Sequence, residues 1–213
     1  FSSPNLEILI TFAMNSRRRS CVSKLFVYGR KSKAICSPVN QIDTYCKIRI
    51  MITIRPIQNG EIPAVKQIIH TVAFNIFGFD GTLEESIRHF EELGIHQDLE
   101  DIQTHYFDKG GTFLVALDGE KVIGSGALRK LDENTVELKR MWLLEAYHGQ
   151  GIGYRLLIQL FDFAREMGYT QIRLQTSPEQ IQALDFYRRV GFYDIPCYNE
   201  DVGEISMEIR LLE

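Results

Sequence analysis

The stretch AYHGQGIGYRLL, residues 146–157, places three glycines within five residues and then turns apolar at once. Glycine costs backbone entropy, so such a cluster indicates a place where a side chain would be in the way. The pattern is compatible with a phosphate site, with a tight strand-to-helix turn, or with an ordinary loop. The sequence on either side has to separate these three interpretations.

The segments that flank the glycines are of different kinds. Asn134–Leu144 predicts a strand, whereas Tyr154–Met167 has apolar residues at helical spacing and predicts an amphipathic helix that ends at Gly168. Amides at a helix N-terminus have no partner within the helix, and the helix dipole places partial positive charge there. The order strand, glycines, helix therefore favours an anion-binding turn.

Two common nucleotide motifs do not fit this turn. A P-loop requires a lysine followed by serine or threonine, and both are missing. A dinucleotide fingerprint requires a third glycine where Tyr154 stands, and its strand opens a βαβ unit, whereas the strand before these glycines follows a predicted hairpin. The sequence therefore excludes both motifs.

From residue 51 onward, short strands alternate with helices. Thr82 and Glu85 predict a capping box, and Asp118-Gly119 predicts a hairpin turn. The predicted order is a strand at 52–57, helices at 61–74, 82–93 and 97–107, strands at 112–117, 121–131 and 134–144, a helix at 154–167, a strand at 170–177, a helix at 179–190 and a strand at 204–212. Hairpins combined with crossovers predict an α/β sheet with antiparallel pairs at one end.

Two motifs make the segment from Met51 to Glu213 resemble the GNAT superfamily of N-acetyltransferases. The coenzyme A loop of that family reads Gln/Arg-x-x-Gly-x-Gly/Ala, and here it is His148-Gly149-Gln150-Gly151-Ile152-Gly153. The second motif, Asn-x-x-Ala-x-x-Phe-Tyr-x-x-x-Gly-Phe, is matched by Gln180, Ala183, Phe186, Tyr187, Gly191 and Phe192. The resemblance implies a single GNAT-like domain, with a mixed, mostly antiparallel central sheet flanked by helices, and acetyl-CoA as acyl donor.

The resemblance also implies which residues hold the coenzyme. The backbone of the fourth strand at Met141, Trp142 and Leu143 pairs with the pantetheine arm, and a main-chain amide there polarises the thioester carbonyl. The Trp142 side chain is expected in the core instead. The other implied coenzyme-binding residues are His148, Gly149, Gln150, Gly151, Ile152, Gly153, Tyr154 and Gln180. Two of them depart from the family pattern, because histidine replaces Gln or Arg at 148 and the longer glutamine replaces asparagine at 180.

Tyr187 is implied to lie beside the coenzyme sulfur and to donate a proton to the leaving thiolate. A phenol suits this task because it stays protonated at neutral pH. The alternative is an aromatic packing residue whose hydroxyl is satisfied within the protein.

Glu137 is the candidate general base for the acceptor ammonium. Strand alternation predicts that Glu137 shares a face with Met141 and Leu143, while the opposite face carries Val136, Leu138, Arg140 and Trp142. The alternative is that Glu137 forms an ion pair with Lys139 or Arg129.

The acceptor is expected between an aromatic loop and the region after the last predicted helix, where aromatic rings and carboxylates favour an ammonium group. The residues concerned are Phe74, Phe77, Phe79 and Asp80, and Tyr193, Tyr198, Glu200 and Asp201. Ordinary loop anchoring is the alternative. The predicted reaction is direct acetyl transfer to a primary amine of a small or amino-acid-like molecule. Other candidates are a peptide or protein N-terminus or lysine as acceptor, and a non-catalytic acyl-CoA-binding module.

Composition sets the remaining expectations. Residues 1–50 hold nine basic and two acidic residues and form a leader of uncertain status, either a targeting-like segment or sequence upstream of a natural start at Met51. The acidic remainder argues against a nucleic-acid partner. No run is long and apolar enough for a membrane span, and no cysteine or histidine spacing fits a metal site. We expect a cytoplasmic protein with free thiols and no metal, and the sequence allows a homodimer.

Overall fold

The computed structural model of the chain describes residues 52–78, 80–199 and 203–211. The predicted leader at residues 1–50 lies outside the described residues, and so do Phe79, Glu200 and Asp201 of the predicted acceptor region. The boundary at Met51 therefore stays a prediction.

Seven strands form one mixed sheet in the order β1-β2-β3-β4-β5-β7-β6. Every neighbouring pair is antiparallel except β4 with β5. The strands are β1 (Ile52–Pro56), β2 (Thr112–Asp118), β3 (Lys121–Lys130), β4 (Thr135–Leu143), β5 (Gln171–Thr176), β6 (Tyr193–Ile195) and β7 (Ile205–Arg210). The mixed, mostly antiparallel sheet expected from the sequence is confirmed.

Helices cover both faces of this sheet. They are α1 (Ile62–Phe77), α2 (Leu83–Glu92), α3 (Gln97–Glu100), α4 (Ile102–His105), α5 (Ile152–Glu166) and α6 (Ile181–Val190). The predicted capping box is present, since the Thr82 side chain accepts from the Glu85 amide and the Glu85 carboxylate accepts from the Thr82 amide. It fixes the start of α2.

Several predicted boundaries were wrong for local reasons. α1 does not end at Phe74 but continues through Phe77, because the left-handed residue that ends it is Gly78. Part of the predicted aromatic loop is therefore helical. The helix predicted at 97–107 is two short helices separated at Asp101, whose carboxylate accepts from the Thr104 amide and caps α4. The short edge strand β6 was not predicted, since three half-exposed residues carry no readable alternation.

Two apolar cores lie on opposite faces of the sheet. One core packs α5 and α6 against β4 residues Val136, Leu138, Met141 and Leu143. The other packs α1 and the segment through Tyr106 against β2, β3 and Trp142. The core role expected for the Trp142 side chain is confirmed.

A β-bulge in β4 changes which residues share a face. Lys139 pairs with Ala127 and Trp142 pairs with Ser125, so Arg140 and Met141 together oppose a single residue of β3. The extra residue reverses the alternation beyond it. The prediction that Glu137 shares a face with Met141 and Leu143 is therefore wrong.

β4 and β5 part after a short paired stretch. Within the described residues their register runs only from Thr135–Gln171 to Glu137–Arg173. β5 continues to Thr176 along β7 instead. The final residues of β4, which lead into the glycine turn, thus run without pairing to β5.

Candidate functional site

The glycine turn connects β4 to α5 through a backbone that favours glycine. After a 3-10 turn at Glu145–Tyr147, Gly149 and Gly151 adopt φ values of 73° and 75°. Residues with a Cβ rarely occupy this left-handed region. The Arg155 amide donates to the Gly151 carbonyl, and the amides before it lie at the N-terminus of a 15-residue helix, where a helix supplies them with no partner.

A cavity of about 340 Å³ lies against this turn. Its wall includes Gly149, Gly151, Ile152, Gly153, Tyr154 and Leu143, all predicted to contact coenzyme. The wall does not include the other predicted coenzyme residues, which are Met141, Trp142, His148, Gln150 and Gln180. The Gln150 side chain donates to the Ala146 carbonyl at 3.1 Å, and His148 lines a different cavity.

His148 turns away from the glycine turn and toward the end of β4. Its Nε2 lies 2.9 Å from the Leu143 carbonyl oxygen. Arg189, on α6, instead brings a guanidinium to the cavity at the glycine turn, where it is the charged side chain among the lining residues. Sequence reasoning missed Arg189, although it lies two residues after Tyr187 in the second motif.

A second cavity, of about 600 Å³, lies between α1 and the beginning of α6. Its lining includes Thr71, Asn75, Leu144, His148, Gln180 and Ala183. Gln180 is buried at the start of α6, and its Oε1 accepts from the Thr176 hydroxyl at 2.7 Å. This contact directs Gln180 to β5 and fixes the start of the helix.

None of the predicted acceptor residues that the structure describes lines the cavity at the glycine turn or the cavity between α1 and α6. Tyr193 donates its hydroxyl to Glu208, and Tyr198 donates to Glu137 at 2.9 Å. Phe77 ends α1 and Asp80 is exposed. Two of the predicted aromatics thus hold the sheet together, and the larger cavity beside α1 is the better candidate for the acceptor.

Tyr187 is completely buried on α6, with 0% of its surface exposed. Its ring packs edge-on against Phe186 and Phe192, with centroids 5.5 and 5.3 Å away. Among the described residues its hydroxyl has no hydrogen-bond partner. Burial raises the pKa of this phenol well above its ordinary value, so the hydroxyl stays protonated at neutral pH. A buried hydroxyl without a partner costs stability and calls for a specific role.

Glu137 lies on the opposite face of β4 and is fully engaged. Arg129 donates to its Oε2 at 2.7 Å, Tyr198 donates to its Oε1, and the Lys139 ammonium lies 3.9 Å from Oε2. The carboxylate is 1% exposed. These contacts match the ion-pair alternative, and the role of Glu137 as a base stays a prediction.

A buried ionic cluster adjoins Glu137 and was not predicted. Arg140 contacts Asp98, and Tyr106 donates its hydroxyl to the same carboxylate. Despite its burial, Asp98 has its pKa lowered to about 2 by the Arg140 guanidinium. His96 and His70 pack beside them at a ring-centroid distance of 4.6 Å. Burial lowers the pKa of His96 to about 3 and that of His70 to about 4, so both are neutral.

Solved structures with this architecture define the class of fold. The chain is similar to the crystal structure of an acetyltransferase of the GNAT family from Staphylococcus aureus Mu50, with a TM-score of 0.64 and 23% identity over 76% of this chain and 99% of that one. It is also similar to the PaiA N-acetyltransferase of Thermoplasma acidophilum in complex with coenzyme A, with a TM-score of 0.62 and 20% identity over 75% of this chain and 98% of that one. The fold is that of GNAT acetyltransferases.

A family model gives the same answer from sequence. The model described as the Acetyltransferase (GNAT) family matches residues 79–192, more than half of the chain. This match includes β4, the glycine turn, α5 and α6. The chain belongs to the GNAT acetyltransferase family, and the resemblance inferred from the two motifs is confirmed.

Curated relatives match over a shorter stretch. N-acetyltransferase 8B of Homo sapiens is 32% identical over 109 residues, which are 48% of this chain and 48% of that protein. The uncharacterized N-acetyltransferase YjgM of Escherichia coli K12 is 27% identical over 117 residues, 54% of this chain and 70% of that protein. The chain thus spans about half the length of the human relative.

The part of the chain that the structure describes contains no helix long and apolar enough to cross a bilayer. Over the same residues, no three metal-binding side chains are grouped closely enough to hold an ion. Cys197 lies exposed between β6 and β7 and takes part in no disulfide.

Proposed function

We propose that the protein is an acetyl-CoA-dependent N-acetyltransferase that passes an acetyl group directly to a primary amine. The observation that carries this proposal is the orphaned hydroxyl of Tyr187, buried in the apolar core between α6 and the sheet in a chain of this family. A hydroxyl without a partner costs stability unless a ligand completes it. The sulfur of an acyl-CoA is the acceptor that family membership suggests.

The residues present fit a coenzyme with a phosphate-bearing end. The two left-handed glycines keep the cavity at the glycine turn open to the amides of α5, and Arg189 adds a guanidinium. Amides at a helix N-terminus bind phosphate oxygens, and a guanidinium strengthens such a site with charged donors. We assign the phosphate end to this cavity and the pantetheine arm to the backbone of Met141–Leu143.

In this proposal the acceptor ammonium loses its proton to solvent, and the chain supplies the groups that stabilise the oxyanion and protonate the leaving thiolate. A main-chain amide near Met141 polarises the thioester carbonyl, which favours the oxyanion that forms when the amine attacks. Tyr187 donates its proton to the departing thiolate, and the family relatives named as N-acetyltransferases support an amine as the acceptor. Neither motif holds a cysteine, which supports transfer without a covalent enzyme intermediate.

The acceptor amine is assigned to the larger cavity between α1 and α6. Ala183 lines this cavity and lies one helical turn before Tyr187 on the same face of α6. The exposed carboxylates Glu145 and Glu179 at the cavity favour a cationic acceptor. A small or amino-acid-like amine in the cytoplasm remains our proposal for the substrate, and a homodimer remains an untested prediction.

A thiol-release assay with acetyl-CoA and a panel of small amines, amino acids and peptides tests the function. We expect turnover with at least one small amine, and thermal stabilisation by coenzyme A that ATP and NAD do not give. Turnover with peptides alone would instead identify a peptide or protein as the acceptor. Stabilisation by coenzyme A without turnover on any acceptor would leave a binding module and refute the enzyme.

A further inference from the structure

Arg140 has a backbone conformation that an arginine does not adopt without support. Among the described residues it is the one non-glycine residue with positive φ, at 54°. It lies in the bulge where two residues of β4 face one residue of β3. A left-handed backbone is unfavourable for any residue with a Cβ, so neighbouring contacts must hold it in place.

The Arg140 side chain is held by a buried carboxylate from a distant segment. Its Nε donates to Oδ2 of Asp98 at 2.9 Å, and its Nη2 donates to Oδ1 at 2.5 Å. The same Nη2 donates to the Ile95 carbonyl at 2.9 Å. Arg140 is 4% and Asp98 8% exposed, so this fork-to-carboxylate pair is shielded from water.

Two further hydrogen bonds fix the ends of this arrangement. The hydroxyl of Tyr106 donates to Oδ2 of Asp98, the oxygen that also accepts from Nε of Arg140, and so helps to orient the carboxylate. The carbonyl of Arg140 accepts from the Ser125 hydroxyl of β3 at 2.8 Å, which ties the bulge to its partner strand. Side chain and main chain of Arg140 are therefore anchored independently.

We propose that Asp98 is a positioning residue for the acyl donor, because its pair with Arg140 holds the bulge that aims the main chain of Met141–Leu143. This inference rests on the proposed function, in which that main chain receives the thioester arm. Without the extra residue, strand alternation would send Met141 and Leu143 to the α1 face and Trp142 beneath α5. The bulge thus decides both the side-chain packing and the backbone presented at the end of β4.

Two double variants that both lack the Asp98–Arg140 pair, one with glycine and one with alanine at position 140, distinguish support of the bulge from simple charge pairing. In Asp98→Asn combined with Arg140→Gly, the pair is gone, but glycine adopts positive φ without support. We expect KM for acetyl-CoA and kcat within about threefold of wild type. In Asp98→Asn combined with Arg140→Ala, the bulge relaxes, and we expect kcat/KM for acetyl-CoA to fall about 10- to 100-fold, as misplacement by ~1 Å does elsewhere.

A merely structural role predicts that alanine at position 140 lowers stability but leaves kcat and KM of the folded double variants alike, since positive φ disfavours alanine whatever the bulge does. Equal activity in the two double variants, or better activity with alanine, would overturn the proposal. Thermal melts of both variants accompany the kinetics, so that each is assayed at a temperature where it is folded.

Tyr106→Phe provides a milder variant that keeps both charges. It loosens the Asp98 carboxylate, and we expect KM for acetyl-CoA to rise severalfold while KM for the amine is unchanged. Tyr169→Phe is its control, since it removes a buried tyrosine hydroxyl that donates to the Gly110 carbonyl at 3.0 Å, away from the bulge. An equal rise of KM in both variants contradicts the proposal. Wild-type protein that neither binds nor turns over acetyl-CoA would refute the proposed function itself, whereas an active wild type with indistinguishable variants refutes only the role of Asp98.

Discussion

The two faces of β4 differ in the polar groups that they bury. On the α1 face, Glu137, Arg140 and Asp98 are buried charges with short contacts to partners of opposite sign. On the α5 and α6 face, the packing is apolar, and Tyr187 keeps a hydroxyl that no described residue satisfies. Unpaired buried polar atoms also occur on the α1 side, at the ring nitrogens of His70, so the case for Tyr187 rests on its place in the family motif as well as on its unpaired hydroxyl. We therefore expect the charged pairs on the α1 face to contribute to stability and Tyr187 on the other face to contribute to catalysis.

Replacement of Tyr187 by phenylalanine tests the catalytic role of its hydroxyl and should have the largest effect. We expect kcat to fall by about 100-fold or more, because the thiolate loses its proton donor. The same change removes an unsatisfied buried hydroxyl, so stability should rise or stay equal. Kinetics with acetyl-CoA and thermal melts measure the two effects.

Tyr169→Phe is the matched control for this experiment. Its hydroxyl is satisfied by the Gly110 carbonyl, so its loss should cost about 1 kcal/mol of stability and leave kcat unchanged. If Tyr187→Phe lost stability and kept its turnover, the hydroxyl would be a structural group and the contrast between the faces would fail.

Glu137→Gln tests how much the buried charges on the α1 face of β4 contribute to stability. It leaves Arg129 and Lys139 beside a neutral amide, so we expect a loss of about 3 kcal/mol in the free energy of unfolding. We expect kcat to stay within about threefold, because the carboxylate is occupied by its partners. Chemical denaturation and a pH–rate profile measure both.

Glu208 offers a closely matched control. Like Glu137 it accepts from an arginine and a tyrosine, here Arg173 at 2.9 Å and Tyr193. Glu208→Gln should lose less stability, since the pair is nearer to solvent, and should also keep its kcat. A loss of kcat confined to Glu137→Gln, together with loss of the acidic limb of the pH profile, would make Glu137 the general base after all.

The sequence predicted the apolar face much better than the ionic face. Helical spacing, the glycine cluster and the Phe-Tyr…Gly-Phe motif are local patterns, and they placed α5, α6, the glycine turn and Tyr187 correctly on their elements. Whether the Tyr187 hydroxyl had a partner depended on packing between α6 and the sheet. No spacing rule contains that information.

The ionic face depends on pairs far apart along the chain. Asp98 and Arg140 are separated by 42 residues, and no local sequence pattern predicts that they pair. The bulge at Arg140 shifts the alternation by one residue, which is why a regular period of two assigned Glu137 to the wrong neighbours. An irregularity held by a tertiary contact is invisible to a periodicity argument.

The buried histidines make the stability of the ionic side depend on pH. The pKa of His70 is lowered from 6.5 to about 4, chiefly by burial, so the unfolded chain takes up a proton between these values and the folded protein does not. Stability from this group is present above pH 6.5 and is lost as the pH falls toward 4. Between pH 7 and 5 we expect His70→Phe to lose about 1 to 2 kcal/mol less than wild type. His89→Gln, on the exposed side of α2, should follow wild type, and equal losses in all three proteins would contradict the expectation.

The two ends of α5 allow the glycine turn to be tested against an internal standard. Gly151 and Gly168 flank the helix with φ values of 75° and 84°, and a Cβ at either position meets no atom within 4 Å. Alanine at each should therefore cost a similar ~1 to 2 kcal/mol of stability. Only Gly151→Ala disturbs the amides at the cavity, and we expect its KM for acetyl-CoA to rise about tenfold, which is 1.4 kcal/mol of binding. If both variants raised KM equally, the effect would be general destabilisation.

The smallest expected effect concerns the cation at the cavity, where neighbouring arginines on α6 differ in position. Arg189 lines the cavity at the glycine turn, whereas Arg188 pairs with Asp194 at 3.0 Å on the surface. His148 is directed to the Leu143 carbonyl, whereas Arg189 is the charged side chain in the wall of this cavity. We expect Arg189→Gln to raise KM for acetyl-CoA about three- to tenfold, more at low salt than at high salt, since an exposed charge is screened.

Arg188→Gln removes the same charge from the adjacent position and should leave KM unchanged. Acetyl-pantetheine, which lacks the nucleotide end, should bind both variants and wild type alike. An equal rise of KM in the two arginine variants would mean that net charge, and not the position of Arg189, attracts the donor. A loss that persisted with acetyl-pantetheine would place Arg189 next to the thioester arm. If KM rises only for Arg189→Gln and only with the full coenzyme, α6 carries both the proton donor, Tyr187, and the phosphate-binding cation, Arg189.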